Sequence, residues 1–306
     1  MTISFSCRCP NTDYLGFKAS PDAIIQTAMK AEELGFDAVL VNDHIIVDGS
    51  PRAAAWTNTF DPFVALSFMA ANTKHIGLGV SVLIVPYRNP IATAKALATL
   101  DRMSGGRLIC GVGVGWNPAE FAALGVNIRE RGARTNEYLR IWQACWAPGV
   151  VSFEGQFFSF SNMHVNPKPL RQSHPPLWVG GTSAAALRRA AVFAETWQPT
   201  PLSLADLMAG QATLRQVCER IGRETPPKTS MSFRVEFSTV TGNAPPAGAE
   251  RPPGWGTSAQ VVDDLRRYAE AAGLDAFQIN IHGNRDLAQL LDQMDCFVQE
   301  VRPHVP

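Results

Sequence analysis

Eight times in 306 residues a short β-rich run gives way to a longer helical pattern, and few folds can accommodate that rhythm. The runs are Ile3 to Cys7, Ala38 to Val41, Ile76 to Leu83, Arg107 to Gly113, Leu177 to Val179, Thr196 to Gln198, Ser232 to Phe237 and Ala276 to Asn280. The third is almost continuously apolar, as a strand covered on both faces requires. Helix signals fill the gaps. Ser20-Pro21-Asp22 combines an N-cap, a proline at the first helical position and an early acid, and Gly35 ends that helix; Asn89-Pro90 opens another. The rhythm breaks once. Residues 149–175 read as two β-like arms around Glu154-Gly155 and a proline-rich return, a hairpin insertion before the fifth strand. The expectation is one domain over residues 1–306, a single (β/α)8 TIM barrel in the α/β class. A doubly wound sheet is the rival, but no G-x-G-x-x-G follows the first strand. Loops of unusual length are expected at 46–58 and 242–256.

Charge and cysteine usage narrow the function. Lys+Arg and Asp+Glu both number 27, and no long basic run occurs, which speaks against nucleic acid as a partner. No stretch of 18 apolar residues occurs, so no membrane-spanning helix is expected. The start, MTISFSCRCP, lacks a basic region followed by an apolar one, so no secretory signal is expected either. The six cysteines form no Cys-x-x-Cys pair and read as reduced, buried thiols of a cytoplasmic protein. No two histidines have metal-ligand spacing, so no metal is expected.

In such a barrel, chemistry belongs to the loops that leave the strand ends. Gly180-Gly181-Thr182-Ser183 follows the fifth strand: two glycines allow close backbone approach, and the helix that opens next presents unpaired N–H groups to an anion such as phosphate. Gly111, Gly113 and Gly115, followed by Trp116, either make room for a flat ligand or pack the barrel rim. Asp43-His44 places an acid beside a base able to move a proton near neutral pH. Trp56, Trp116, Trp178 and Trp197, with Phe60 and Phe63, suggest either an aromatic-lined pocket for a large, flat or apolar ligand, with Gln198 at the sixth strand end, or an aromatic belt beneath the insertion; the substrate expected is a small apolar or aromatic one. No cluster of basic residues for a substrate phosphate stands out.

Several strings together resemble the bacterial luciferase-like flavin monooxygenase superfamily: Pro86-Tyr87-Arg88-Asn89-Pro90, Leu100 through Arg107, Gly111 through Trp116, Arg129 through Tyr138, and Pro175 through Gly181. The similarity lies closest to the branch that uses the deazaflavin coenzyme F420. The resemblance implies a barrel that holds a flavin-type ring at the strand ends, with its phosphate on Gly180, Gly181, Thr182 and Ser183. It also implies a non-proline cis peptide at Ser81–Val82 behind the ring, glycines Gly113 and Gly115 near it, and Asp43 and His44 as the cavity acid and its neighbour. It further implies a homodimer. The activity implied is hydride transfer with F420. The alternatives are an FMN-dependent two-component monooxygenase fed by a separate reductase, a non-catalytic flavin-binding barrel and, last, a cofactor-free lyase or isomerase. Sugar-phosphate dehydrogenases of the branch carry a carboxylate just after the strand-four glycines, where this chain has Trp116.

Overall fold

The computed structural model describes residues 3–13, 16–171, 174–243 and 251–306. Part of the loop expected at 242–256, residues 244–250, lies outside them, as do residues 172–173 of the insertion. Along the chain come β1 (Ser4–Arg8), α1 (Pro21–Glu33), β2 (Ala38–Val41), α2 (Pro62–Asn72), β3 (Gly77–Ile84), α3 (Pro90–Met103), β4 (Leu108–Gly113), α4 (Pro118–Ala123) and α5 (Arg131–Trp146). The hairpin β5 (Val151–Glu154) and β6 (Ser159–Met163) follows. Then come β7 (Leu177–Gly180), α6 (Ala184–Phe193), β8 (Thr196–Gln198), α7 (Leu204–Arg220) and β9 (Lys228–Phe237). The chain ends with α8 (Ser238–Thr241), β10 (Trp255–Gly256), α9 (Ser258–Ala272), β11 (Ala276–Ile281) and α10 (Leu287–Cys296).

Parallel pairing runs β1–β2–β3–β4–β7–β8–β9–β11 and returns to β1, which closes a barrel of eight strands among the described residues. The expected (β/α)8 barrel is therefore observed, with the antiparallel β5–β6 hairpin where the insertion was expected. The sequence signals act as read: the Ser20 side chain accepts a hydrogen bond from Ala23 N, and Gly35, at φ +71°, follows the end of α1.

Period-two alternation sorts each strand. On β11, Phe277, Ile279 and Ile281 join the apolar layer under the helices, while Gln278 and Asn280 bond to polar groups of other barrel strands. Phe5 stacks on Phe277 at 6.0 Å and meets Phe297 edge-on at 5.4 Å, which ties the first and last strands to the closing helical segment. Strand β9 starts at Lys228, four residues before the expected position. The polar side chains Thr229 and Ser230 hide its start from a reading of hydrophobicity, yet both are buried, and Thr229 accepts from Gln211. β3 loses register with β4 between Val80 and Leu83, and the Ser81–Val82 peptide bond inside that break is cis.

Candidate active site

The C-terminal strand ends surround a cavity of about 660 Å³. On one side it is lined by Asp43, His44, Trp56 and Trp116, on its floor by Arg8, Ser81, Val82, Gln198 and Asn280, and on the far side by Gly180, Gly181, Ser183 and three arginines.

The first side carries a proton-handling group. Asn117 caps α4 through its side chain and so places Glu120 in the first turn of that helix, beneath the loop that leaves β2. Glu120 Oε2 lies 2.8 Å from His44 Nδ1 and 2.9 Å from the Tyr87 hydroxyl, and Oε1 accepts from Ile45 N at 2.7 Å. Both rings and the carboxylate are buried. Burial alone would raise the Glu120 carboxyl; the hydrogen bonds from His44, Ile45 N–H and Tyr87, with the charge of His44, outweigh it and hold the group below the usual carboxylate range. Burial, reinforced by the charge of Glu120, pushes the Tyr87 phenol far up, so Tyr87 stays a donor. With Nδ1 fixed on Glu120, His44 has Nε2 left for a proton. Trp56 and Trp116 flank the imidazole at 5.1 and 5.9 Å between centroids, and Arg52 lies 4.2 Å over Trp116.

Asp43 is differently engaged. Arg88 donates from both guanidinium ends to its two oxygens, at 2.7 and 2.8 Å, and Ile84 N donates at 2.8 Å. Its carboxylate anchors β3 and the segment after it, and it lines the cavity beside His44.

On the floor, Ser81 Oγ meets the amides of Gln198 and Gln278 at 3.0 and 2.7 Å, Asn280 reaches Ser232 at 2.6 Å, and Arg8 Nε donates to Asn280 Oδ1 at 2.9 Å. The strand-four glycines serve β3. A Cβ on Gly111 would fall 2.1 Å from the Val80 carbonyl oxygen, and one on Gly113 would fall 2.5 Å from Val82 Cγ2. Gly111 thus packs against the β3 backbone, while Gly113 and Gly115 line the cavity beside Val82.

The far side has the character of an anion site. Ser183 is the N-cap of α6, with its oxygen accepting from Ala186 N, and Gly181 adopts φ +99° beside it. Arg189, on the same helix, is 5% exposed; its Nε donates to Asn136 Oδ1 at 2.8 Å and Nη2 to the Gly132 carbonyl at 3.3 Å. Burial lowers its pKa to about 10. Arg129 and Arg131 line the same wall, and among the described residues none of the three forms an ion pair. The basic cluster absent from a linear reading is thus assembled from two separate segments. A wall of cations beside a helix N-terminus, a floor of amides and an apolar Val82 together fit a ligand with one anionic end.

The structure corrects several expectations. Trp197 does not line the cavity. It neighbours Gln198 on a strand, so the two face opposite ways, and its fully buried indole packs against Gly210 of α7 while Nε1 holds the Gly181 carbonyl. Thr182, expected as the first residue of the helix after the fifth strand, is exposed and not among the lining residues; α6 begins two residues later, at Ala184, with Ser183 as its cap. Trp178, Phe60 and Phe63 also lie off the lining; Phe63 sits under Arg88. Glu120, Tyr87, Arg88, Arg8 and Arg189 received no role from the sequence. For Glu120 a signal existed: Asn117-Pro118-Ala119-Glu120 is a helix start that carries an acid at its third position.

A closed parallel barrel with a histidine–carboxylate pair and a cationic wall around one cavity at its strand ends defines a barrel enzyme. The chain belongs to the luciferase-like monooxygenase family, whose model matches residues 1–251. An uncharacterized protein of Mycobacterium tuberculosis is 31% identical over 214 residues, covering 66% of this chain and 75% of that protein. An F420-dependent glucose-6-phosphate dehydrogenase of Kineococcus radiotolerans is 36% identical over 169 residues, covering 51% and 47%. An FMNH2-dependent dimethylsulfone monooxygenase of Pseudomonas putida is 36% identical over 121 residues, covering 39% and 33%. Among solved structures, an F420-dependent secondary alcohol dehydrogenase superposes with TM-score 0.80 at 17% identity over all of both chains. The oxygenating constituent of 3,6-diketocamphane monooxygenase of Pseudomonas putida gives 0.81 at 18%, over 100% of this chain and 99% of that one. These two likenesses concern the fold. No helix among the described residues is long and apolar enough to cross a membrane.

Proposed function

We propose that this enzyme binds coenzyme F420 and transfers a hydride between it and a small apolar or aromatic substrate, an alcohol or a carbonyl compound. The observation that carries this reading is the His44–Glu120 pair, which opens on a cavity whose opposite wall is cationic. Gly180, Gly181, Ser183, Arg129, Arg131 and Arg189 would hold the cofactor phosphate, and Ser81, Val82, Gly113 and Gly115 would lie along its ring. When bound, the cofactor supplies two-electron hydride chemistry. The chain supplies the rest. Glu120 fixes the tautomer and orientation of His44, and His44 Nε2 takes the hydroxyl proton of an alcohol, or returns it to a carbonyl oxygen. Trp56 and Trp116 exclude water and give the substrate apolar walls. Asp43 acts through Arg88 and the β3 backbone, as a positioning residue.

The second reading is an FMN-dependent monooxygenase fed by a separate reductase, favoured by the similarity to the dimethylsulfone enzyme. We also infer a homodimer, seated on the exposed apolar side of α2.

Titration with oxidised F420 and with FMN, followed by fluorescence, separates the readings. Tight binding of F420 alone supports hydride transfer; tight binding of FMN alone supports the monooxygenase; micromolar binding of neither refutes both. In the loaded enzyme, His44→Gln is expected to lower turnover by about 10²–10⁴-fold with cofactor affinity unchanged. Full turnover in that variant would remove His44 from the proton path.

A further inference from the structure

Glu120 carries its hydrogen bonds in two pairs. Oε1 accepts from the backbone, from Ile45 N at 2.7 Å and Ile46 N at 3.3 Å. Oε2 faces two side chains, His44 Nδ1 at 2.8 Å and the Tyr87 hydroxyl at 2.9 Å. The imidazole and the phenol therefore share one oxygen, and an oxygen that serves two donors offers less charge to each. The chain places Tyr87 for this. It ends the helical turn Val85–Tyr87 that follows β3, and its buried ring meets Phe121, the neighbour of Glu120 on α4, edge-on at 4.8 Å. The next residue, Arg88, holds Asp43, the residue before His44. One short segment thus holds the two carboxylates nearest the histidine in chain and in space. Among the described residues, the other charged groups near the pair are Asp61, which meets Arg88 at 3.2 Å, and Arg52 across Trp116. Ile84 and Phe121 close the Tyr87 side with apolar surface.

The phenol counts differently in each state of the pair. With a neutral imidazole the full negative charge rests on the carboxylate, and the Tyr87 hydrogen bond stabilises it most. With an imidazolium, or with a protonated carboxyl, less charge is left for the phenol to stabilise. A donor at Oε2 therefore favours the pair without its extra proton. Burial and the Glu120 charge keep the phenol itself protonated, so it remains a donor throughout. We propose that Tyr87 is a positioning residue that sets the proton affinity of the His44–Glu120 pair: by occupying Oε2 it weakens the hold of the carboxylate on Nδ1, so the pair gains its proton only at lower pH. The two groups titrate as a unit, and both steps of that titration lie lower with the hydroxyl than without it. The consequence for turnover rests on the proposed proton transfer by His44; the titration itself does not.

The test uses the full chain without cofactor, labelled with 15N-histidine and titrated by NMR, with His44→Gln assigning the signal. Tyr87→Phe keeps the ring and its contact with Phe121 and removes only the hydroxyl. It is expected to move the titration seen at His44 up by about half a unit to one unit, the size of one hydrogen bond to a charged group. In a Glu120→Gln background the same change should move it by less than about 0.2 unit, because the hydroxyl acts through the carboxylate. A 3-fluorotyrosine placed at position 87, a stronger donor, should move it down. Circular dichroism confirms that each variant is folded. If Tyr87→Phe leaves the titration in place or lowers it, or shifts it equally in the Glu120→Gln background, Tyr87 only packs the wall and the inference falls while the proposed function stands. In the loaded enzyme the pH profile of turnover is expected to move with the titration. If the titration moves as expected and the profile does not, the inference stands and the proposed proton transfer by His44 falls.

Discussion

Glu120 is a buried carboxylate that serves one imidazole, one phenol and a turn of backbone. Removing its charge should therefore be felt in two separable ways. Glu120→Gln keeps the size but no longer fixes the donor state of His44 Nδ1, and turnover should drop by about 10²-fold or more. The second effect is acid stability. Because the folded carboxyl lies below its ordinary value, its contribution is complete above the unfolded value of about 4.3 and is lost as pH falls through the folded one. Melting temperatures of the wild type should decline across that acid window, and Glu120→Gln should lose the Glu120 share of the decline. Parallel pH profiles for the two proteins would remove Glu120 from the linkage. His44 was legible in the sequence because an acid–base pair stands at a strand end. Its partner was not, since 76 residues separate the two and only barrel closure joins them. Arg189 was hidden for a similar reason. Nothing in a helical arginine reveals that its nearest neighbour will be an asparagine and that its wall is otherwise cationic.

At the level of elements, the turn of the inserted hairpin is hydrogen-bonded to α5 through Glu137. Glu137 of α5 accepts from Gln156 N at 2.7 Å, from Phe157 N at 2.9 Å and from Phe158 N at 2.9 Å, the three consecutive amides of the β5–β6 turn. Gly155 makes the approach possible, since a Cβ there would lie 2.6 Å from the carboxyl carbon of Glu137. Glu137→Ala leaves three amides without their acceptor and should destabilise the hairpin by about 1–3 kcal/mol. Hydrogen exchange should quicken at residues 156–158 and stay unchanged in β7, which is held by β4 and β8. Exchange that quickened throughout the barrel would mean that the hairpin is part of the core. The order of strands and helices, the insertion and the Ser20 cap were all readable, because periodicity and capping are local. The phase of a strand is local too, and applying it to β8 would have set Trp197 outward once Gln198 was turned inward. The start of β9 could not be read, because Thr229 and Ser230 become strand residues only when Gln211 and the barrel interior bury them.

On the scale of the whole molecule, α2 is apolar on both sides. Pro62, Ala65, Leu66 and Met69 face the barrel, while Val64 is 70% exposed and Phe68, one turn further on, 44%. A surface helix ordinarily turns a polar face to water, and covering what these two side chains still expose would contribute about 1–2 kcal/mol each. A second copy of the chain laid across this helix by a two-fold axis would cover both sets at once. Such a dimer would also brace the loop before α2, which carries Trp56 to the cavity. Light scattering on the wild type should then give twice the chain mass of 33.2 kDa, and Val64→Glu combined with Phe68→Glu should give 33.2 kDa with the fold retained by circular dichroism. The monomeric variant should bind cofactor as before, since the arginine wall and the amide floor lie within one barrel, but should show a raised KM for substrate through a loosened Trp56. A wild type that scatters as 33.2 kDa would rule the dimer out, and a double variant that stays dimeric would move the interface away from α2.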